Sequence, residues 1–332
     1  MHAEFKLPGE VSNVDIFNEL EQRRVNRRKF LAGVGAAGAA SVLAGCGGSS
    51  LTTPPASTSY TDTDILNFAL NLEYLEAEFY LHAATGSGLA TSDIGSNPGA
   101  VTGGAQVTGL TSAQQNILNE IAYDEQEHVR FLRSALGSSA VARPAIDITN
   151  SFNALASAAG IASTFNPYAS FDSFLVGAFI FEDVGVTAYA GAAPLISTAG
   201  IAAGYLAAAA GIMAVEAYHA AYVRTALTAG AIAQGTTAFP YFTYANQVST
   251  LRATLGGANE TALTVPAGTP PFTTAIPTAT SIVAATGANA IAYARTTDQV
   301  LHIVYGTGTG AGVKSGGFFP SGLNGNITVT QS

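Results

Sequence analysis

The sequence has 332 residues, enough for one large domain, and its charged residues are few, acidic in balance and unevenly spread. The first 45 residues contain six Lys/Arg and five Asp/Glu, whereas the remainder contains seven Lys/Arg and 17 Asp/Glu. An acidic chain whose only lysine beyond the N-terminal segment is Lys314 repels phosphate backbones, so we expect metal cations and not nucleic acid as partners. The single cysteine, Cys46, excludes a disulfide framework or a thiolate metal cluster within one chain.

The N-terminal segment has the order of features found in exported lipoproteins. Arg27 and Arg28 precede an apolar run of small residues, which leads to Leu-Ala-Gly-Cys ending at Cys46. This resembles a twin-arginine export signal with a lipobox, in which Cys46 is lipidated. We therefore expect a signal over residues 1–46, a flexible tether over residues 47–60, export by the twin-arginine route, and a lipid-anchored protein in the periplasm or cell envelope. An uncleaved N-terminal anchor is the alternative, although the apolar run is shorter than the ~20 residues that span a bilayer.

Helical periodicity begins at residue 61 and predicts an all-α architecture. We expect a ferritin-like four-helix bundle over residues 61–230, a long crossover between its second and third helices, and an irregular region over residues 231–332 with one or two short helices. The apolar start of the fourth helix is expected to lie in the protein core, because a glutamate, a histidine and an arginine follow it directly. The first predicted helix begins at Thr61 or Thr63. The other bundle helices are predicted from Thr111 or Ser112 to Gly137, from about Ser170 to Ala192 and from about Ser197 to Thr228, and the short helices over residues 241–255 and 290–305.

The first and third helices each contain a glutamate followed seven residues later by a tyrosine. These pairs are Glu73 with Tyr80 and Glu182 with Tyr189. Seven residues make nearly two turns of an α-helix, so each glutamate shares a helix face with its tyrosine.

The second and fourth helices each contain a Glu-x-x-His motif. The motifs are Glu125 with His128 and Glu216 with His219, and residues three apart lie on one face of a helix. An arginine and an Ala-Leu pair follow each histidine at equal distances. Two helix pairs with matching patterns indicate an internal duplication.

The chemistry of these side chains explains why they would converge. Four glutamates facing one apolar interior need compensation, because an unpaired buried charge is strongly destabilising. Two divalent cations would neutralise four carboxylates, and two imidazoles would complete the coordination. Mixed carboxylate and imidazole ligands suit iron or manganese, or adventitious zinc, whereas calcium and magnesium prefer oxygen ligands alone.

One glutamate from each of two helices and Glu-x-x-His from each of the other two resembles the ligand set of the ferritin-like di-iron carboxylate proteins. The segments LNFALNLEYLEAEFY and DEQEHVRFL further resemble bacterial ferritin-like domain proteins related to plant desiccation-associated proteins. The resemblance covers roughly residues 61–230 and implies two iron or two manganese ions as cofactors. It extends less firmly to the C-terminal region, and neither that region nor the crossover is ferritin-like. The cysteines of rubrerythrin-like electron transfer are absent from the sequence.

The resemblance implies a role for each matched residue. Glu125 and Glu216 would bridge the two metals. Tyr80 and Tyr189 would lie beside the site, or serve as core aromatic residues with hydrogen-bonded hydroxyls. The remaining implied ligands are Glu73, His128, Glu182 and His219.

Other polar residues near the motifs have simpler interpretations. An additional ligand is an alternative for Glu76, which lies one turn beyond the first glutamate. His82 and His302 have no partner in the repeated pattern and are excluded from the predicted metal ligands. Arg133 and Arg224 are expected to pair with carboxylates. Residues expected to be solvated are Glu78, Asp124, Glu127 and Asp183.

The leading prediction is an exported protein whose dinuclear non-haem metal site reacts with oxygen or peroxide, either oxidising Fe(II) or removing an oxidant. A dimanganese catalase-like activity is a variant of it. The alternatives are a structural or desiccation-protective protein whose metal only stabilises the bundle, and a metal-free site whose carboxyls share protons. Metal ions and small oxidants are the expected partners, the membrane is expected to be contacted through the lipid anchor, and homo-oligomer formation is left open.

Overall fold

A computed structural model describes residues 60–265, 282–287 and 289–332 of the chain. The predicted export signal with Arg27 and Arg28, the predicted lipidation site Cys46, and the predicted tether up to residue 59 lie outside the described residues. From Tyr60 onward the chain belongs to one compact unit.

The described residues form eight α-helices and two short strands, which confirms the predicted all-α class. The helices are α1 (Asp62–Thr85), α2 (Ser112–Leu136), α3 (Asn150–Ala158), α4 (Phe171–Ala192), α5 (Thr198–Ala202), α6 (Tyr205–Gln234), α7 (Tyr241–Gly256) and α8 (Thr297–Tyr305), and the strands are β1 (Val101–Gly103) and β2 (Ile146–Ile148). Helix α1 packs along α2 and α4 packs along α6, so the two predicted helix pairs form the bundle.

Side-chain caps fix the starts of three bundle helices. At α1, the Thr61 hydroxyl accepts a hydrogen bond from the Asp64 amide at 3.2 Å, and the Asp64 carboxylate accepts one from the Thr61 amide at 2.9 Å. Thr111 and Gln114 form the same capping box at α2, and Ser170 caps α4. These starts agree with the predicted ones.

The prediction of one continuous fourth helix is wrong. Ser197 caps the short helix α5, and the chain then turns at Gly204, whose φ of +90° lies in the left-handed region. Helix α6 begins at Tyr205 and continues past the predicted end at Thr228 to Gln234. The sequence misled because a single glycine barely lowers the helical propensity of so alanine-rich a run.

The start of this region is also more exposed than predicted. Ile201 of α5 is 50% exposed, and 28% of the most apolar window of α6 is buried. The segments Phe171–Leu195 and Tyr205–Gln234 are both long and apolar enough to cross a membrane by length and composition. The first is largely buried in the bundle, however, and α6 carries buried Glu216, His219 and Arg224.

The crossover contains the short helix α3, as predicted, and a strand that was not predicted. Strand β2 pairs in parallel with β1, with Val101 opposite Ile146 and Gly103 opposite Ile148. This pairing links the loop before α2 to the crossover after it.

The C-terminal region packs on the bundle. Helices α7 and α8 both contact α4, and Phe318 and Phe319 are buried. Asn71 of α1 donates a hydrogen bond to the Asn324 carbonyl at 2.8 Å and accepts one from the Asn324 amide at 2.9 Å. The last predicted helix is shorter than expected, because its capping box with Thr296 starts it at Thr297 and not near residue 290.

Candidate metal centre

Two overlapping groups of carboxylates and imidazoles lie inside the bundle. The first group consists of Glu73, Glu125, His128 and Glu216, whose ligand atoms lie within 4.8 Å of one another. His128 Nδ1 is 3.2 Å from Glu73 Oε2, 3.3 Å from Glu125 Oε2 and 3.7 Å from Glu216 Oε1. Helices α1, α2 and α6 therefore contribute to one possible cation position.

The second group consists of Glu125, Glu182 and His219. His219 Nδ1 is 3.0 Å from Glu125 Oε1 and 3.6 Å from Glu182 Oε2. Glu125 belongs to both groups and turns one oxygen toward each histidine, which is the geometry of a bridge between two cations. All six predicted ligands are buried, and the structure brings them together.

Burial raises the pKa values of most of these glutamates. It raises the pKa of Glu73 to about 7, and it raises that of Glu182 above its usual range. Burial, together with the nearby charge of Glu76, raises the pKa of Glu216 well above its usual range. So many carboxylates in one interior favour the uptake of protons or cations.

The pKa values of the two histidines are also raised, which for an imidazole favours the charged form. Burial alone would lower their pKa values, but the charges of Glu73 and Glu125 raise the pKa of His128 to about 11. Likewise, Glu182 and Glu125 raise the pKa of His219 to about 12 against the effect of burial. Burial would raise the pKa of Glu125, but its contacts with both imidazoles lower it to about 2. Positive charge is thus strongly favoured at both positions.

Several ligand atoms are buried without a hydrogen-bond partner among the described residues. They include both oxygens of Glu216, Oε2 of Glu182, Oε1 of Glu125 and Nδ1 of His219. The last two atoms lie close together but are not aligned as a hydrogen bond. Buried polar atoms are rarely left unsatisfied in proteins. Two cations would satisfy these atoms, and the carboxylate and imidazole donors fit iron or manganese.

Tyr80 and Tyr189 lie beside the centre, and each contacts a glutamate on another helix. Tyr80 of α1 donates a hydrogen bond to Glu182 of α4, and Tyr189 of α4 donates one to Glu73 of α1. Both tyrosines are buried. Their hydroxyls therefore orient the outer glutamate of each group.

Sequence reasoning missed the contact of Asp124. Its Oδ2 lies 3.1 Å from His219 Nε2, so it can accept a hydrogen bond from the ring and hold Nδ1 toward the centre. The Asp124 side chain is 31% exposed, which is partly consistent with the predicted solvation. Nothing in the sequence pattern distinguishes it, because the matching residue before Glu216 is Val215.

The prediction that Glu78 and Asp183 are solvated is wrong. Glu78 is buried in an ion pair with Arg143. Asp183 is buried between Arg224 at 2.9 Å and Arg252 at 3.0 Å. Their arginine partners lie in distant segments, so helical spacing could not reveal them. Glu127, in contrast, is half-exposed, with a local ion pair to Arg130 at 2.7 Å.

The two arginines of the repeat differ. Arg224 pairs with a carboxylate, as predicted, whereas Arg133 donates a hydrogen bond to the Tyr74 hydroxyl at 2.6 Å. His82 and His302 lie outside both groups. Glu76, the alternative additional ligand, is buried near the centre but lies outside both groups.

A four-helix bundle that gathers glutamates and histidines from all four helices defines a ferritin-like protein, and residues 61–229 match the Ferritin-like domain family. The chain belongs to this family. It is 32% identical over 283 residues to Ferritin-like catalase Nec2 of Nesocodon mauritianus, an alignment that covers 80% of this chain and 84% of that protein. It is 31% identical over 176 residues to Desiccation-related protein PCC13-62 of Craterostigma plantagineum, covering 50% of this chain and 53% of that protein. The predicted relationship to ferritin-like and desiccation-related proteins is confirmed.

Proposed function

We propose that the protein removes hydrogen peroxide at a centre of two iron or two manganese ions. The observation that carries the proposal is the pair of buried carboxylate and imidazole groups that share Glu125 and contain unsatisfied ligand atoms. Similarity to a protein named a ferritin-like catalase favours peroxide over Fe(II) as the substrate.

The reaction would consume two peroxide molecules. One is oxidised to dioxygen and gives up two electrons and two protons, and the other takes them up as its O–O bond breaks to give two waters. The metal pair, when bound, supplies the reversible two-electron change that separates these half-reactions.

The chain's own residues would bind the metals and keep their geometry. Glu125 would be shared by the two ions, and Glu182 with His219 would hold the second. Glu216 was predicted to bridge as well, but it lies only in the first group, where it would hold the first ion with Glu73 and His128. The contacts of Tyr80, Tyr189 and Asp124 would keep the outer ligands in place. The surrounding apolar bundle restricts access by bulk water.

We also propose export by the twin-arginine route and a lipid anchor at Cys46. The order of arginine pair, apolar run and lipobox supports this. A route that carries folded proteins would allow the centre to be loaded before export.

A second candidate is a desiccation-protective protein in which the metals only stabilise the bundle. Similarity to a desiccation-related protein favours it. Turnover distinguishes the two, since a catalase consumes many equivalents of peroxide and a structural site consumes none.

The first experiment is metal analysis of the protein purified after native export, beside Glu125→Ala and Glu216→Ala. We expect about two iron or manganese ions per chain in the wild type, and loss of metal in both variants. Glu127→Gln is the matched control, because Glu127 lies on the same helix but is half-exposed and pairs with Arg130. Absence of stoichiometric metal from the wild type would refute the proposal, and bound metal without peroxide turnover would favour the structural role.

A further inference from the structure

Glu76 is a buried carboxyl that the six-ligand centre does not use. It is 6% exposed and makes no hydrogen bond or ion pair with any residue that the structure describes. It lies outside both groups of possible metal ligands. A buried, unpartnered acidic side chain calls for a ligand or a function.

The Glu76 side chain lines a narrow pocket. Its free space is enough for about one or two water-sized molecules. Glu76 is the only polar side chain among the described residues that line it. The other lining residues are apolar or glycine, among them Leu72, Val184, Gly185, Ile303, Val304 and Phe318.

Gly185 joins the pocket to the metal centre. A Cβ atom at this position would lie 2.3 Å from Glu216 Oε2 and 3.5 Å from Glu76 Oε1. Both carboxylates therefore face the bare backbone of α4. Because Gly185 has no side chain, none from this position separates the two carboxylates. A molecule beside Glu76 is therefore next to Glu216, a predicted bridging ligand.

The same glycine breaks the internal repeat. Glu76 lies three residues after Glu73, and Gly185 lies three residues after Glu182. The duplicated pattern thus has a carboxyl in one half and no side chain in the other. The surroundings of the two cation positions therefore differ beside the pocket, which both Glu76 and Gly185 line.

We propose that Glu76 and this pocket form the binding position for a small uncharged oxidant, hydrogen peroxide, on one side of the centre. This inference rests on the proposed function. The pocket walls supply no polar alternative, so the Glu76 carboxyl orients the peroxide by hydrogen bonding. The C-terminal region provides the wall through Ile303, Val304 and Phe318.

Size and charge define the ligand class. Free space for one or two waters excludes bulky organic hydroperoxides. No lysine or arginine lines the described pocket, and Glu73, Glu125 and Glu216 lie behind it, so anions are repelled. A small neutral molecule with hydrogen-bonding ability is the remaining class.

The test begins with the pocket itself, independently of turnover. Crystals of the metal-free protein are pressurised with krypton, an uncharged probe atom. We expect krypton density beside Glu76 in the wild type and none in Val304→Phe, which fills the pocket. Val283→Phe is the control, because Val283 is exposed and lies outside the pocket. Wild-type crystals without krypton in the pocket would overturn the inference.

Metal-loaded variants then test binding. Val304→Phe and Glu76→Leu should keep the metal content of the wild type, and kcat/KM for peroxide should fall at least about tenfold, with most of the change for Glu76→Leu in KM. Glu76→Gln, which can still hydrogen-bond, should lose less than Glu76→Leu. If Val304→Phe fails to fold, Val184→Leu narrows the same pocket with a single added carbon.

The two proposals fail differently. If metal-loaded Val304→Phe had the kcat/KM of the wild type, the pocket would not be the binding position, but the proposed catalase activity would stand. A metal-loaded wild type without turnover would overturn the proposed function and with it peroxide as the ligand.

Discussion

The hydroxyl of Tyr189 donates a hydrogen bond to Glu73, a residue 116 positions earlier in the chain and on a different helix. Tyr80 and Glu182 make the reciprocal contact. Each half of the duplicated pattern therefore orients the glutamate of the other half. The two helix pairs cannot separate without losing both contacts, so the symmetry of the centre is built across the bundle and not within each pair.

Removal of these hydroxyls should weaken metal binding. Tyr189→Phe and Tyr80→Phe are each expected to lower metal affinity by about 10- to 100-fold, because an unsupported outer glutamate samples more orientations. Competition with a chelator measures the affinity. Tyr74→Phe is the control: Tyr74 is a buried tyrosine of α1 whose hydroxyl bonds to the Val141 carbonyl and Arg133, away from the centre. It should lose about 1 kcal/mol of stability but no metal affinity. Equal metal affinity in all three variants would contradict this role.

The metal-free protein should become less stable as pH rises from 5 to 8. The pKa of Glu73 is raised from 4.5 to about 7, so its stabilising protonation is complete below pH 4.5 and is lost as pH rises through 7. The pKa of His128 is raised from 6.5 to about 11, so its contribution is complete below pH 6.5 and declines as pH rises toward 11. Both effects have the same sign, and thermal unfolding at several pH values measures their sum.

Metal loading should reverse that trend. Ligands must release protons to bind cations, so metal affinity should increase over the same pH range and protons should be released on binding. Calorimetric titration in two buffers of different ionisation enthalpy counts the protons. A metal-free melting temperature that rises from pH 5 to 8, or binding without proton release, would show that the charges at Glu73 and His128 are not as described.

Gly185→Ala should disturb the centre. The added methyl would lie 2.3 Å from Glu216 Oε2, so the carboxylate or α4 must move, and we expect a loss of about 1–3 kcal/mol in stability together with weaker metal binding. Gly211→Ala in α6 is the matched control, because no atom lies within 4 Å of its added Cβ. That change should stabilise the protein by up to about 1 kcal/mol. Similar effects of both substitutions on metal content would argue against the close approach at Gly185.

Asp183→Asn should destabilise the fold without emptying the centre. It removes the negative charge between the buried Arg224 and Arg252, and breaking a buried ion pair costs about 3–5 kcal/mol. Chemical denaturation measures the loss, and metal analysis of the folded fraction should match the wild type. A variant that unfolds like the wild type would mean that solvent reaches this cluster.

The sequence predicted the bundle and the convergence of six site residues because helical spacing is a local property. Glu125 and His128 share a face by geometry alone, and the duplication supplied the second pair. Contacts between distant segments were not predictable in the same way. Asp183 has no local sign of its partner Arg252 in α7, and the break at Gly204 depends on one backbone angle in an alanine-rich run. The role of Gly185 emerged only with the position of the Glu216 side chain.

The hydrogen bonds between Asn71 and Asn324 also set an order of events during biosynthesis. They join residues 253 positions apart, so they form only after all four bundle helices have left the ribosome. Until then α8 and Phe318 cannot line the pocket beside Leu72 and Leu75. The wall of the Glu76 pocket is therefore completed last, after the helices that contribute the candidate ligands have been synthesised.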